Sequence, residues 1–405
     1  MPATLQAPAP PAARRPGAPR ARGPFQRVTP RYLRDVNWIR GALQTAIALE
    51  HATMPLYCAA MYSLEVQNYP SYNTIRSVLM EEMLHMAAAC NMLAALGGSP
   101  RIRDLDPGFP SAGLPGKVAP DLTAVLAPLS QRQLETFMRI EAPESMLPEE
   151  LRDPAYATIG GFYEVIRQAV LDNADAIRRA VAEGGPANQV GGNLGYRVFT
   201  PANAKNAVED FLASIDMISG QGEGAAVGSL QAGEDFQNEM SHYARFAELR
   251  YGRRYLPPVA SQPISPETES SYFQGEEIAW PVVINTLAVP RDGYAAILEL
   301  DPNAAEVGQA LKGFDSAYTA MMVALDDAWN GPAQASWPSL GEAVIQMNEM
   351  RVTSCFNIMR HRVPDEVVRR LEQLYPDEYE LIAKYTNLDA PVYYGPRFVN
   401  YAARS

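Results

Sequence analysis

Apolar residues recur along this chain with the 3.6-residue period of helices, and some of the positions inside those stripes carry acids. Leu43, Ala46, Ile47, Glu50, Met54 and Tyr57 fall at i, i+3, i+4, i+7, i+11 and i+14, which predicts a helix over about Val36 to Val66. Pro55 lies within it and is expected to kink it. Ile75, Val78, Glu82, His85, Ala89, Met92 and Leu96 predict a second helix over about Tyr72 to Leu96, stopped by Gly97-Gly98 and Pro100. Residues 99 to 128 hold many Pro, Gly and Asp and read as a crossover connection. Further helices are predicted at about Ser130–Ala142, Tyr156–Val181, Ala202–Ser219 and Glu234–Tyr251. After a Pro/Ser-rich boundary at 256–285 come helices near Ala304–Trp329 and Trp337–Arg360, with a short one near Asp365–Leu374. Strand signal is slight. The expected class is all-α: a four-helix bundle with extra helices and a C-terminal helical extension.

Those stripes contain what a core ordinarily rejects. Glu50, Glu82, Glu141 and Glu239 sit on the apolar faces of four separate segments, and His85 and His242 accompany two of them. A lone carboxylate in an apolar core costs several kcal/mol unless protonated, paired or bound to metal. Glu82-Met83-Leu84-His85 and Glu239-Met240-Ser241-His242 are both Glu-x-x-His, a spacing that puts acid and imidazole on one helix face. With 28 glutamates and four histidines in 405 residues, random composition would supply roughly 0.3 such motifs. Two are present. The order Glu, Glu-x-x-His, Glu, Glu-x-x-His is that of a bundle holding two metals between its helices. Four carboxylates are neutralised by two divalent cations, and oxygen and imidazole donors without thiolate suit iron or manganese. At the third position Glu141 has the better apolar period. Glu164, on a mixed face with Gly160, Gly161 and Arg167, is the second choice.

The other candidates carry less. His51 follows Glu50 directly and therefore points about 100° away. His361, between Arg360 and Arg362, reads as a cationic helix end. Tyr57 and Tyr243 lie on the acid-bearing stripes, and Met80, Met83 and Met86 read as core filler. The Gly220–Gly224 loop has no strand before it, so a dinucleotide fingerprint is not expected.

Composition narrows the setting. A net charge of −12 argues against nucleic acid or an anionic membrane as partner. Three widely spaced cysteines, none in Cys-x-x-Cys, fit buried thiols in a reducing cytoplasm. Residues 1–34, rich in Pro, Ala and Arg, are expected to be disordered, ahead of a bundle over 35–255 and a C-terminal helical region over 256–405 packed on it. No run of 18 apolar residues predicts a membrane span. The core is large enough to need no oligomeric partner, and a homodimer is left open.

Several of these runs resemble a known family. Ala48-Leu49-Glu50-His51-Ala52-Thr53-Met54-Pro55, Glu81-Glu82-Met83-Leu84-His85-Met86 and Asn91-Met92-Leu93-Ala94-Ala95-Leu96-Gly97-Gly98 resemble the ferritin-like domain family that includes the iminophenyl-pyruvate dimer synthase of violacein biosynthesis. Ile140-Glu141-Ala142-Pro143-Glu144, Gly222-Glu223-Gly224 and Ser241-His242-Tyr243-Ala244-Arg245-Phe246 carry the same resemblance, over about residues 36 to 250. It implies a ferritin-like bundle and oxygen-dependent oxidation, and supplies no substrate. The expected function is a dimetal, diiron-type oxidoreductase acting on a small organic molecule with O2. The alternative is an iron-binding, ferroxidase or storage protein without an organic substrate.

Overall fold

The computed structural model describes residues 29–66, 69–147, 158–185, 187–191, 197–222, 230–233, 236–256 and 264–404, with the backbone course alone for 230–233 and 236–239. Two long helices form its spine: α1 (Val36–Tyr62) and α2 (Pro70–Ala95) pack along each other. Asp35 starts α1 by accepting a hydrogen bond from the Trp38 N–H at 2.9 Å, and Pro70 opens α2 where its missing N–H costs nothing. Pro55 lies inside an α1 that runs on through it.

The other two bundle positions are each filled by shorter helices. α3 (Gln131–Ile140) and α4 (Ile159–Asp172) both pack on α1, while α6 (Ala207–Gln221) and α7 (His242–Tyr251) both pack on α2. α3 also packs on α7, and α4 on α6. Ser130 and Thr158 cap α3 and α4, each accepting from the N–H three residues on, at 3.0 Å. Both interrupted rods break at the same place: α3 ends at Glu141, α6 at Gly222, and α7 begins after Ser241.

Three expectations need correction. The predicted helix over 156–181 divides into α4 and α5 (Ala174–Glu183) at Asn173, whose side chain donates to Ala169 O and Arg34 O. The crossover is not featureless: β1 (Ser111–Leu114) and β2 (Val118–Ala124) form an antiparallel hairpin, turning at Gly116 with φ 78°. The helix expected over 234–251 is shorter, because β3 (Leu230–Gly233) pairs with β4 (Phe236–Met240) and Ser241 takes an extended conformation as the N-cap of α7. Of the expected disordered tail, residues 1–28 lie outside the described residues, and Arg31–Leu33 makes one 3₁₀ turn.

Beyond the bundle, α8 (Ala295–Leu298) precedes the paired helices α9 (Ala304–Asn330) and α10 (Ser336–Val352), with a π-helical turn at Thr353–Ile358 and short helices after it. One apolar cluster runs through bundle and C-terminal region alike, joining Leu43 and Phe137 to Phe314 and Trp329. Among the described residues no helix is long and apolar enough to cross a membrane.

Candidate metal centre

Five of the predicted donors meet in the middle of the bundle. Glu50 comes from α1, Glu82 and His85 from α2, Glu141 from the end of α3, and His242 from the first turn of α7; all five are fully buried. They form two overlapping groups that share Glu82: Glu50, Glu82 and His85, and Glu82, Glu141 and His242. His242 Nδ1 stands 2.9 Å from Glu82 Oε1 and 3.3 Å from Glu141 Oε2. His85 Nδ1 stands 3.8 Å from Glu50 Oε2 and 3.9 Å from Glu82 Oε1. The two imidazoles are stacked with centroids 5.6 Å apart.

Glu239 is the exception among the predicted ligands. Its backbone is in β4, so it and His242 do not share a helix face, and its side chain lies outside the described residues. Glu164 is not among the donors. Its side chain is 68% exposed and lies 4.0 Å from Arg167, an ordinary surface pair.

Each inward-facing donor is held from behind. Tyr57 donates to Glu141, and Tyr163 to Glu50. Thr53 Oγ1 donates to Glu82 Oε2 at 3.0 Å. His85 Nε2 meets Gln221 Oε1 at 2.9 Å, and His242 Nε2 meets Glu81 Oε2 at 2.8 Å. Arg245 grips Glu81 through Nη1 at 2.9 Å and Nη2 at 2.5 Å. By contrast, Glu82 Oε1, Glu141 Oε2, His85 Nδ1 and His242 Nδ1 are buried and make no aligned hydrogen bond, despite the short His242 Nδ1 separations.

That combination is the test of fit for metal. Fixed outer atoms and unaligned inner atoms are what a ligand set needs, since a coordinating imidazole ordinarily gives its second N–H to a partner. Gly222 supports the same conclusion. A Cβ there would stand 2.7 Å from His242 Nδ1 and 3.3 Å from Glu141 Oε2, in the space the donors enclose.

Residues 43–251, a little over half of the chain, match the ferritin-like family. The chain belongs to the ferritin-like family. A crystal structure of a ferritin-like protein from Caulobacter vibrioides is similar in fold, with a TM-score of 0.50 at 21% identity, covering 77% of this chain and 94% of that one. No curated protein matches.

Electrostatics within this ferritin-like bundle follow from crowding acids where water cannot reach. Burial, and then the neighbouring Glu141 charge, raise the Glu82 carboxyl above its usual range. Burial opposes charge on His242, yet Glu141, Glu81 and Glu82 around it outweigh that and raise it well above an ordinary histidine. His85, buried and beside His242, is pushed down to about 3. Burial also works against the Glu81 charge, but His242 and Arg245 together hold that carboxyl well below the usual range.

The remaining sequence candidates fall away from the donors. His51 is buried with Nε2 2.8 Å from the Tyr318 hydroxyl. Tyr243 donates to Glu269 Oε1 at 2.8 Å, away from the centre. His361 lies beyond the end of its helical segment, whose cap is Met359, and 3.9 Å from Glu306. Met86 is buried, while Met80 is 42% exposed and so is not core. Of the Gly220–Gly224 loop, residues 223 and 224 lie outside the described residues. Sequence reasoning missed Glu81, Gln221 and Tyr163. Glu81 had a readable signal, an acid beside a candidate ligand inside an apolar helix; the other two had none.

Proposed function

We propose that this ferritin-like protein binds two divalent transition-metal ions, iron or manganese, and uses them with O2 to oxidise a small organic molecule. The observation that carries the reading is the convergence of five fully buried donors, of which Glu82 Oε1, Glu141 Oε2, His85 Nδ1 and His242 Nδ1 make no aligned hydrogen bond. Glu50 and His85 would hold one ion, Glu141 and His242 the other, and Glu82 would bridge. Three carboxylates leave one positive charge on two divalent ions, so a further anionic ligand is needed; Glu239 is the residue proposed for it. When bound, such ions supply one-electron chemistry and an open position for oxygen.

The chain's own contribution is to exclude water and fix protons. Tyr57, Tyr163 and Thr53 donate to the outer oxygens of the three carboxylates, leaving the inner oxygens as acceptors. Glu81 and Gln221 take the Nε2 protons of the two imidazoles, which leaves both Nδ1 lone pairs facing inward. The resemblance to the ferritin-like family that includes the iminophenyl-pyruvate dimer synthase supports oxygen-dependent oxidation and supplies no substrate.

A second reading, oxidation of ferrous ion itself, is favoured by the burial of all five donors, since ions and O2 need the least room to reach them. Elemental analysis of chain purified without chelator, followed by anaerobic ferrous titration and then oxygen uptake, tests both. Two ions per chain and oxygen consumption are expected, with both lost in Glu82→Ala and His242→Ala. Unchanged metal content in those variants would sink the assignment. Iron accumulating far beyond two per chain, in a cage-sized particle by sedimentation, would favour the second reading.

A further inference from the structure

The two halves of the centre are built differently, in what stands behind each imidazole and in the spacing of the donors. In one half, His242 gives its Nε2 proton to Glu81, a carboxylate that Arg245 holds at both oxygens. In the other, His85 faces Gln221, a neutral amide. Ligand spacing differs in the same sense. Two donors side by side on one ion, at bonds of about 2.1 Å, stand roughly 3 Å apart. The His242 half already has that spacing, with separations of 2.9 and 3.3 Å, whereas the His85 half is open at 3.8 and 3.9 Å.

We infer that the two metal positions are unequal: the His242 half is the tighter one and fills first, with Glu81 as the positioning residue that makes it so. This rests on the dimetal reading above. A charged acceptor makes a stronger hydrogen bond to the ring N–H than a neutral one, and so makes Nδ1 the better donor. Arg245 fixes the direction of that acceptor. Donors already at ligand spacing lose less freedom when an ion arrives than donors that must draw together. Both effects favour the same half.

The test is a cobalt(II) titration of the chelator-stripped full chain at pH 8, followed by visible absorption and calorimetry. Wild-type chain is expected to bind in two steps separated by about 10–100-fold. Glu81→Gln should weaken the tight step by about 10–100-fold and shift its absorption envelope, leaving the weak step within about threefold. Gln221→Ala should move the weak step alone. General loosening of the fold would move both envelopes together, which separates positioning from a merely structural role.

Two indistinguishable wild-type steps would overturn the inference, as would equal loss of both steps in a Glu81→Gln chain whose circular dichroism is native. The wild-type isotherm decides the inequality even where a variant fails to fold. A wild-type chain that binds no cobalt at all brings down the dimetal reading itself, a result distinct from two equal steps.

Discussion

The C-terminal region and the centre of the bundle both bury carboxylates, and they treat them in opposite ways. In the C-terminal region each buried acid is answered by partners of the chain. Asp326 accepts from the Ile102 N–H at 2.9 Å, the Arg103 N–H at 3.1 Å and Arg103 Nε at 3.2 Å. Asp315 meets Arg397 at 2.7 Å and the Val399 N–H at 3.2 Å, and Asp301 accepts from Tyr394 at 2.6 Å. In the bundle, Glu82 and Glu141 face each other and two imidazoles, with inner oxygens that no aligned donor reaches. An acid that the fold satisfies is part of how the fold holds together. An acid that the fold leaves facing other acids is a cost carried for a ligand.

The largest effect is expected where an answered acid is removed. Asp326→Ala strands the buried Ile102 N–H and releases the connection after α2 from α9, at a cost of about 3 kcal/mol. Urea unfolding should show that loss, with cobalt binding by the folded chain unchanged. A loss of binding in the folded variant would mean that the two classes of acid are not separate.

The same contrast explains what the sequence made readable. Stripes with helical period identify α1, α2, α3 and α9 closely, and acids on those stripes point to Glu50, Glu82 and Glu141, because an apolar face records which way a side chain looks. Nothing comparable records what stands behind a donor. Gln221 reaches His85 from α6, 136 residues away in the chain, and Tyr163 reaches Glu50 from α4. Both lie opposite their partners only once the helices are packed. Phe236, Glu239, His242 and Phe246 keep helical spacing, yet the extended Ser241 cap divides them, a case of local capping overriding period. The β1–β2 hairpin leaves no strand signal because its strands do not alternate and each carries a breaker, Gly113 in β1 and Pro120 in β2.

His51 sits at the seam of the two regions and gives the pH test. It belongs to α1, its Nε2 meets Tyr318 of α9 at 2.8 Å, and burial pushes it down to about 4. The unfolded chain, with a histidine near 6.5, binds the proton that the folded chain refuses between those values. Its contribution is therefore complete above about pH 6.5 and is lost as pH falls toward 4, about 3 kcal/mol in all. His51→Gln keeps a partner for Tyr318 and removes the titration. The stability difference between wild type and variant should shift by that amount between pH 7 and pH 4, in the direction that favours the variant in acid. A pH-independent difference would show that the seam carries no buried neutral histidine.

Gly222 sharpens the contrast from the side of empty space. Its φ of −116° lies outside the left-handed region that favours glycine, so what limits alanine there is the space its Cβ would take. The added Cβ would stand 2.7 Å from His242 Nδ1. Gly222→Ala should lower cobalt affinity about tenfold, roughly 1.4 kcal/mol, while metal-free stability changes by less. Equal affinity would show that the glycine does not keep room for an ion.

The smallest effect has the most telling sign. Glu82 is fully buried, its carboxyl is raised by burial and by Glu141, and its Oε1 has no aligned donor. Glutamine keeps the shape and the Thr53 hydrogen bond to one side-chain oxygen while removing a charge that the metal-free fold holds at a cost. Metal-free Glu82→Gln should therefore unfold at higher urea than metal-free wild type, by about 1 kcal/mol, the opposite sign to Asp326→Ala. On the proposed dimetal reading the order should reverse when cobalt is added, because only the wild-type chain would offer the ions a carboxylate at this position, and binding to the native state alone adds to its stability by mass action. Destabilisation of the metal-free variant would place Glu82 among the acids that the fold itself requires, and the division between the two regions would disappear.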